Sequence, residues 1–126
     1  MQRDMNLVRE LLLRLEPLPV HFDNPMPLDV GKPPHDIPGY TNEQIAYHMR
    51  IMAQGDLIAY SGFSGQDGVH IPRFLGLSWL GHELIDDVRD TETWEDTKKK
   101  IGKIGGASFQ VIWEIAKAYM RSKGVG

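Results

Sequence analysis

Apolar residues first recur at helical spacing near the beginning of the chain. Over 4–16 they follow one another every three or four positions, with charged residues between them. This pattern predicts an amphipathic helix that Pro17 and Pro19 terminate, because proline cannot donate a helical hydrogen bond. The predicted buried stripe consists of Met5, Leu7, Val8, Leu11, Leu12 and Leu15. The predicted solvated face consists of Arg3, Arg9, Glu10 and Arg14.

The stretch TNEQIAYHMRIMAQGDLI at 41–58 predicts a helix that turns directly into a strand. Thr41 or Asn42 can cap the first turn, and Gln44 stands at capping-box distance from Thr41. Gly55 is typical of a helix end, and Asp56 tolerates the left-handed conformation that often follows one. The predicted buried face consists of Ile45, Ala46, Met49, Met52 and Ala53. The opposite face consists of Glu43, Tyr47, Arg50 and Gln54.

Two runs rich in apolar residues flank a glycine-rich segment after this helix. The runs 57–61 and 69–77 predict the strands of a hairpin, and SGFSGQDG between them has the composition of a turn. Pro72 has no backbone donor, so it weakens the second strand or places it at an edge. The glycines do not predict a phosphate loop, because the Gly-Lys-Ser/Thr of such a loop is absent.

Two further helices are predicted after the hairpin. Ser78 is a suitable N-cap for WLGHELIDDV, and Ser108 is a suitable N-cap for a last helix over 107–123. The last helix either closes the core of its own chain or pairs with a second copy, and we favour the homodimer. The apolar side of the first helix consists of Trp79, Leu80, Leu84, Ile85 and Val88, with Trp94 following. That of the last consists of Phe109, Ile112, Trp113, Ala116, Tyr119 and Met120.

The segment 17–40 is rich in proline and has no sustained periodicity. It holds seven of the eight prolines, which predicts an ordered or semi-ordered connector. Apolar residues alternate in LPVHF at 18–22, and this alternation predicts a short edge strand that pairs with the hairpin. The prolines leave room for a single helical turn before the central helix.

The central stretch resembles known DNA-binding families. HMRIMAQGDLI at 48–58 resembles the end of the recognition helix in ArsR-type and related winged-helix repressors, which usually have glycine where Asp56 stands. LSWLGHEL at 77–84 resembles the LTxxG signature that follows the wing in many winged-helix families. The resemblance implies that the central helix is recognition-like and that the hairpin at 57–77 is a wing.

Nearly the whole chain resembles the bacterial, phage and prophage family catalogued as domain of unknown function 2513. The matching segments are RDMNLVRELLLRLE, GYTNEQIAYHMRIM, LSWLGHELIDDVRDTETWEDTK and GGASFQVIWEIA. The resemblance implies a fold and a phage or mobile-element context, with no established activity. The predicted fold class is α+β, a single winged helix-turn-helix domain over 1–126. Its elements are an N-terminal helix, a central recognition-like helix, a two-stranded wing and two C-terminal helices.

Composition and charge narrow the function classes. The 126 residues suit one domain, and the absence of cysteine excludes disulfides and thiolate chemistry. No apolar run approaches the length of a membrane span or a signal peptide, so we expect a cytoplasmic protein without membrane contact. The net charge of −3 means that any DNA binding must rely on a local basic patch.

The leading hypothesis is a small, non-enzymatic regulatory protein that binds double-stranded DNA with the outer face of the central helix and the wing. Amide and guanidinium groups match the donors and acceptors of the groove edges. The expected DNA-contacting residues are Asn42, Gln44, Tyr47, His48, Arg50, His70 and Arg73. The alternative interpretation of Tyr47 and His48 is that they pack beneath the wing.

The alternative function is a protein-binding module, such as a phage-encoded inhibitor of a host defence or transcription complex. Its support is an acidic surface that a basic partner would cover, centred on Glu83, Asp86, Asp87 and Asp90 and expected to face solvent.

Catalytic, metal and cofactor sites are not predicted. The pairs His21 with Asp23 and His35 with Asp36 lack the three or four convergent ligands that a metal requires. His82 and Asp86 stand four residues apart, which fits a simple helical pair. No nucleophile or orienting partner accompanies the carboxylates, so an enzyme is the third choice.

Overall fold

The computed structural model describes residues 1–21, 23–26, 36–66, 69–104 and 108–122. At 64–66, 69–70 and 103–104 it describes the backbone alone. Within these ranges the chain is α+β, with five helices and one two-stranded antiparallel sheet, so the predicted fold class is confirmed at that level. The elements are α1 (Met5–Leu15), α2 (Asn42–Gln54), β1 (Ile58–Gln66), β2 (Val69–Leu77), α3 (Trp79–Val88), α4 (Thr91–Ile104) and α5 (Phe109–Ser122).

The chain divides into two compact units, Met1–His82 and Glu83–Gly126. The first contains α1, α2, the hairpin of β1 and β2, and the first turn of α3. The second contains the rest of α3 with α4 and α5. A single domain over 1–126 stays a prediction of the sequence.

The core of the first unit forms where the apolar faces of α1, α2 and the hairpin meet. Leu7, Leu11, Leu12 and Leu15 of α1 are fully buried, as their helical spacing predicts. Arg9 is also 9% exposed, so its predicted place on the solvated face is wrong. The remaining core side chains are Val8, Ile37, Ile45, Ala46, Met49, Met52, Ala53, Leu57, Ile58, Ile71 and Phe74.

Both ends of α2 follow the predicted local chemistry. Thr41 is the N-cap, and it forms a complete capping box with Gln44. The backbone N–H of Gln44 donates to the Thr41 hydroxyl over 3.1 Å, and the Thr41 N–H donates to Gln44 Oε1 over 2.8 Å. At the other end Gly55 is the C-cap, and Asp56 has a positive φ of 61°. The chain therefore turns from helix into strand over three residues, 55–57, as the predicted sharp turn requires.

The start of α3 is fastened to the turn that follows α2. The Ser78 N–H donates to the Leu57 carbonyl oxygen over 3.1 Å, and the Ser78 hydroxyl donates to the carbonyl oxygen of Asp56. The Ser78 hydroxyl oxygen also accepts from the Gly81 N–H at 3.0 Å, which confirms Ser78 as the N-cap. The backbone at Gly81 lies so close to Leu57 that a Cβ atom there would overlap the Leu57 carbonyl oxygen. We call these residues, Asp56, Leu57, Ser78 and Gly81, the junction.

The predicted hairpin is confirmed, and its first strand is longer than expected. The composition of SGFSGQ predicts a turn, but β1 continues through these residues to Gln66. The turn itself, at 67–68, lies outside the described residues. Pairing is irregular at two places, and at one of them Ser61 and Gly62 together stand opposite Arg73. This arrangement is a β-bulge, with Gly62 at a φ of 68° that suits glycine.

The connector meets the hairpin at a different residue from the predicted one. Residues 18–21 form no strand, and Phe22 lies outside the described residues. Met26 instead pairs with Phe74 of β2 through two backbone hydrogen bonds of 2.8 Å. The prediction of an edge strand at 18–22 is therefore wrong for the described part of that segment. The predicted pairing between the connector and the hairpin does occur, at Met26.

The second unit contains a helix that the sequence pattern did not separate. The helix after the hairpin ends at Val88, and α4 begins at Thr91, so three helices follow the hairpin rather than two. The Asp90 carboxylate accepts from the Thr93 N–H at 2.9 Å and from the Thr93 hydroxyl at 2.8 Å. Asp90 therefore acts as the N-cap of α4.

The apolar side chains of this unit are largely buried. Leu84, Ile85, Val88, Trp94, Ile112, Trp113 and Ala116 are buried, as predicted. Trp79, in the part of α3 that belongs to the first unit, was expected on the apolar side of that helix and is 82% exposed, so that expectation is wrong. Ser108 caps α5 by accepting from the Val111 N–H at 3.3 Å. α5 packs against α4 within the unit, which supports core closure, and the homodimer stays a prediction.

No described helix has the length and apolarity needed to cross a bilayer. The expected location in the cytoplasm stays a prediction.

We expect Gly81→Ala to lower the free energy of unfolding by about 1–3 kcal/mol. The new methyl group would overlap a backbone carbonyl oxygen, which cannot move aside as a flexible side chain could. This cost should exceed the gain of about 1 kcal/mol that alanine brings to a helix interior. Chemical denaturation followed by circular dichroism measures the difference.

Gly102→Ala is the matched control. Gly102 lies in α4, and a Cβ atom there would contact nothing within 4 Å. Alanine should therefore be neutral or stabilising at this position. Equal effects of the two substitutions would contradict the proposed close approach at the junction.

Candidate functional site

The outward face of α2 carries the side chains with which the sequence predicted DNA contacts. Asn42 and Arg50 are exposed, and Tyr47 is half-buried. Within the described residues Arg50 forms no ion pair or hydrogen bond, so its guanidinium group is available to a partner. Glu43 is exposed in the first turn of the same helix. The charge of this face is therefore mixed, with one acid and one arginine.

The Gln44 side chain takes part in capping the N-terminus of α2. Its Oε1 accepts from the Thr41 N–H in the capping box. A base contact through this oxygen would have to break that hydrogen bond and leave a helix-end donor unpaired.

His48 does not lie on the outward face, so its expected DNA contact is corrected. Its side chain is 1% exposed. The Asp4 N–H donates to Nε2 over 2.8 Å, and Nδ1 lies 2.8 Å from the Gln44 carbonyl oxygen. Because a carbonyl can only accept, Nδ1 must carry the proton, and both ring nitrogens of the neutral imidazole are occupied.

Asp4 joins this histidine to the beginning of α1. Its carboxylate caps the helix by accepting from the Asn6 N–H at 2.9 Å, and it accepts from the Tyr40 hydroxyl at 3.0 Å. Burial raises the pKa of Tyr40, and the hydrogen bond to Asp4 and its negative charge raise it further. We call Asp4, Tyr40 and His48 the N-terminal network.

An Asp, Tyr and His together resemble an acid–base site in composition. Here the ring nitrogens of His48 and both oxygens of Asp4 are held by hydrogen bonds within the protein. These hydrogen bonds connect the beginning of α1 with Tyr40 and with α2.

The hairpin presents a surface that sequence reasoning missed. Tyr60 and Phe63 are 41% and 47% exposed, and their ring centroids lie 5.4 Å apart. Arg73 is exposed on the opposite strand, and its Nε donates to the Ser61 carbonyl oxygen over 3.1 Å. We call Tyr60 and Phe63 the hairpin patch.

The bulge explains why the two rings meet. Side chains three residues apart in a regular strand point to opposite faces. The extra residue at Ser61–Gly62 shifts this alternation by one, which allows Tyr60 and Phe63 to lie side by side. Among the expected DNA contacts on the hairpin, Arg73 is exposed, and the side chain of His70 lies outside the described residues.

The predicted acidic surface faces solvent at three of its four residues. Glu83, Asp86 and Asp90 are exposed, as expected, and Asp87 is half-buried. Asp87 accepts a hydrogen bond from the Trp113 indole N–H, and Asp90 caps α4. Asp86 accepts from the Arg89 guanidinium group at 3.3 Å. The role of this surface in binding a partner stays a prediction.

In the described residues no group of three potential metal ligands comes together. His82 Nδ1 lies 3.9 Å from the Glu16 carboxylate. His35 lies outside the described residues.

Comparison with known proteins identifies the family. The family model described as hypothetical protein DUF2513 matches residues 2–108, and the chain belongs to this family. A protein of Haemophilus influenzae, named as an uncharacterized protein, is 28% identical over 118 residues, which cover 93% of each chain. No solved structure matches the chain. The family is thus confirmed, while the ArsR-like winged-helix core stays a prediction.

We expect His48→Ala to lower the free energy of unfolding by about 2–4 kcal/mol. The change leaves a cavity and removes the acceptor of the Asp4 N–H. Arg50→Ala on the same helix is the control and should change stability by about 0.5 kcal/mol or less. Denaturant titrations of both variants make the comparison, and a His48→Ala variant as stable as Arg50→Ala would contradict the network.

The acidic residues allow a second comparison. Asp90→Ala should cost about 1 kcal/mol, because the N-cap of α4 is lost. Asp86→Ala removes an exposed carboxylate with an exposed ion pair and should cost less than about 0.5 kcal/mol. Thermal unfolding of the two variants tests this assignment, which equal melting temperatures would refute.

Proposed function

We propose that this protein is a small, non-enzymatic binding module whose target is another protein. The observation that carries the proposal is the hairpin patch, where two large aromatic side chains in contact stay exposed. Aromatic residues are enriched at protein interfaces and contribute strongly to their binding energy. Large apolar side chains that touch one another at the surface favour a partner that covers them.

The charge of α2 also favours a protein over DNA. A DNA-binding face gains most of its affinity from cations that neutralise phosphates. The outward face of α2 offers Arg50 as its arginine and Glu43 as an opposing charge. The full chain has a net charge of −3, which adds a repulsive background.

DNA binding through α2 is the second candidate. Its support is the order of elements, in which a capped helix leads through a tight turn into a hairpin that packs against it. Winged-helix regulators present their recognition helix and wing in this order. Asn42, Tyr47 and Arg50 would then supply the contacts from the helix, and Arg73 and His70 those from the hairpin.

The two candidates predict opposite results from a pair of variants. Tyr60→Ser with Phe63→Ser should abolish capture of a specific protein from an extract of the encoding organism, because the apolar contact is lost. Arg50→Ala should leave that capture unchanged. Mass spectrometry of proteins retained on immobilised wild type and variants provides the readout, and denaturation curves confirm that each variant is folded.

Fluorescence anisotropy at low salt provides the opposing test, with DNA duplexes of random sequence and from the region upstream of the gene. We expect that Arg50→Ala does not change the affinity for either duplex. Salt-dependent duplex binding that is lost in Arg50→Ala, together with unchanged capture by the aromatic double variant, would replace the protein target with DNA.

A further inference from the structure

We propose that the outer edge of β1 at Tyr60 takes up a short extended segment of the partner protein, which pairs through its backbone and places an uncharged apolar side chain on the hairpin patch. This inference rests on the proposed protein-binding function and adds the conformation and the chemistry of the partner. It depends on the direction in which the Tyr60 backbone points.

The hydrogen bonds of the paired residue fix that direction. Tyr60 stands opposite Phe74 of β2. The N–H and the carbonyl oxygen of Phe74 both bond to Met26, on the side of β2 that faces away from β1. Tyr60 and Phe74 therefore form a non-hydrogen-bonded pair, in which the N–H and the C=O of Tyr60 point away from β2.

The base of the hairpin gives the same direction independently. The Leu57 carbonyl oxygen accepts from the Ser78 N–H across the hairpin at 3.1 Å. The extra residue at the irregularity next to Tyr60 is Leu75 of β2, so the alternation along β1 is unbroken up to Tyr60. Because the backbone groups of successive strand residues point to alternate sides, those of Leu57 point inward and those of Tyr60 point outward.

The outer edge of β1 is open at this residue. Among the described residues the sheet contains β1 and β2 alone, so β1 has no strand on its outer side. Ile58, whose backbone points to the same side, is 3% exposed, whereas Tyr60 is 41% exposed. A partner segment can therefore reach this edge at Tyr60, and an edge strand can take up such a segment through its outward N–H and C=O groups.

The other edge of the sheet shows how this hairpin holds an extended segment. Met26 pairs with Phe74 through two backbone hydrogen bonds of 2.8 Å, as an isolated bridge. Met26, Phe74 and Tyr60 thus stand in one row across the sheet, and a residue bonded to Tyr60 would be its fourth member. Directly opposed residues have side chains on the same face, so the new side chain would lie beside the Tyr60 ring and its neighbour Phe63.

The composition of β1 selects the chemistry of the segment. Its sequence, IAYSGFSGQ, contains no charged residue and no proline, so it lacks the lysine or proline that protects many exposed edges. A charged side chain placed on the two rings would lose hydration without an ion-pair partner on β1. The bulge at Ser61–Gly62 limits the pairing to a short stretch. The preferred segment is therefore short and extended, with an aromatic or β-branched residue opposite Tyr60.

A random peptide library displayed on phage tests the inference, with the folded full-length protein as bait. Selection should enrich peptides that carry an aromatic or β-branched residue without adjacent charge or proline. Synthetic copies of an enriched peptide, each with one N-methylated backbone amide, then locate the pairing. One N-methylation should weaken binding about tenfold or more, because it removes the donor to the Tyr60 carbonyl oxygen. N-methylation of either neighbouring residue should be tolerated, since those amides point away from β1.

Two substitutions of Tyr60 separate its backbone from its ring. Tyr60→Ala and Tyr60→Pro both remove the ring, but only proline also removes the N–H. Because this N–H points away from β2, proline here removes no hydrogen bond of the hairpin. The enriched peptide should bind Tyr60→Pro more weakly than Tyr60→Ala, and Arg50→Ala, the control on α2, should bind it as wild type does. Circular dichroism and melting curves check the fold of each variant, and the N-methylated series on wild type decides the question if proline unfolds the hairpin.

The remaining outcomes distinguish the two levels of the proposal. Peptides that bind equally well to Tyr60→Ser with Phe63→Ser, or no enrichment at all, would overturn the protein-binding function. Peptides that need both rings but tolerate N-methylation at every position would overturn the backbone pairing alone. A concentration-dependent dimer that Tyr60→Pro dissociates would overturn the foreign partner and assign the edge to a second copy of the chain.

Discussion

The close approach of α3 to the turn after α2 is the constraint on which the arrangement of the first unit depends. At the junction, Ser78 binds the carbonyl oxygens of both Asp56 and Leu57, and Gly81 leaves space for the Leu57 carbonyl. The hairpin leaves this turn and returns to it, because Ile58 pairs with Leu77 immediately before Ser78. The junction therefore closes the hairpin at its base and fixes the direction in which α3 begins. The hairpin patch lies on the strand that starts there.

The N-terminal network provides the corresponding connection at the other end of α2. The beginnings of α1 and α2 are far apart in sequence, yet His48 accepts from the Asp4 N–H and Tyr40 donates to the Asp4 carboxylate. A helix start has unpaired N–H groups that need acceptors, and Asp4 itself satisfies those of α1. A buried histidine can take this role because its two nitrogens serve as one donor and one acceptor. These hydrogen bonds join the beginning of α1 to α2 across a long stretch of sequence.

Local rules predicted the elements whose signals are local. The capping box at Thr41 and the left-handed turn at Asp56 depend on residues within one helical turn, so the sequence alone predicts them. The start of α4 has a comparable local signal, because Asp90 is an N-cap residue before an acidic first turn. Because the acidic residues of this segment were interpreted as a charged surface, no helix start was predicted there. His48 also had a signal, since it lies three residues after Ile45 and shares the apolar stripe of α2.

The hairpin patch could not be predicted in the same way, because strand alternation depends on register. Tyr60 and Phe63 are assigned to opposite faces by a regular period of two, and only the pairing with β2 reveals the extra residue between them. That irregularity is accompanied by a glycine held at positive φ and by a hydrogen bond from Arg73 Nε to the Ser61 carbonyl oxygen. Bulges re-aim side chains and interrupt the regular pairing of a strand. In this hairpin one extra residue therefore accounts both for the contact between the two rings and for the hydrogen bond that links β2 to the bulge.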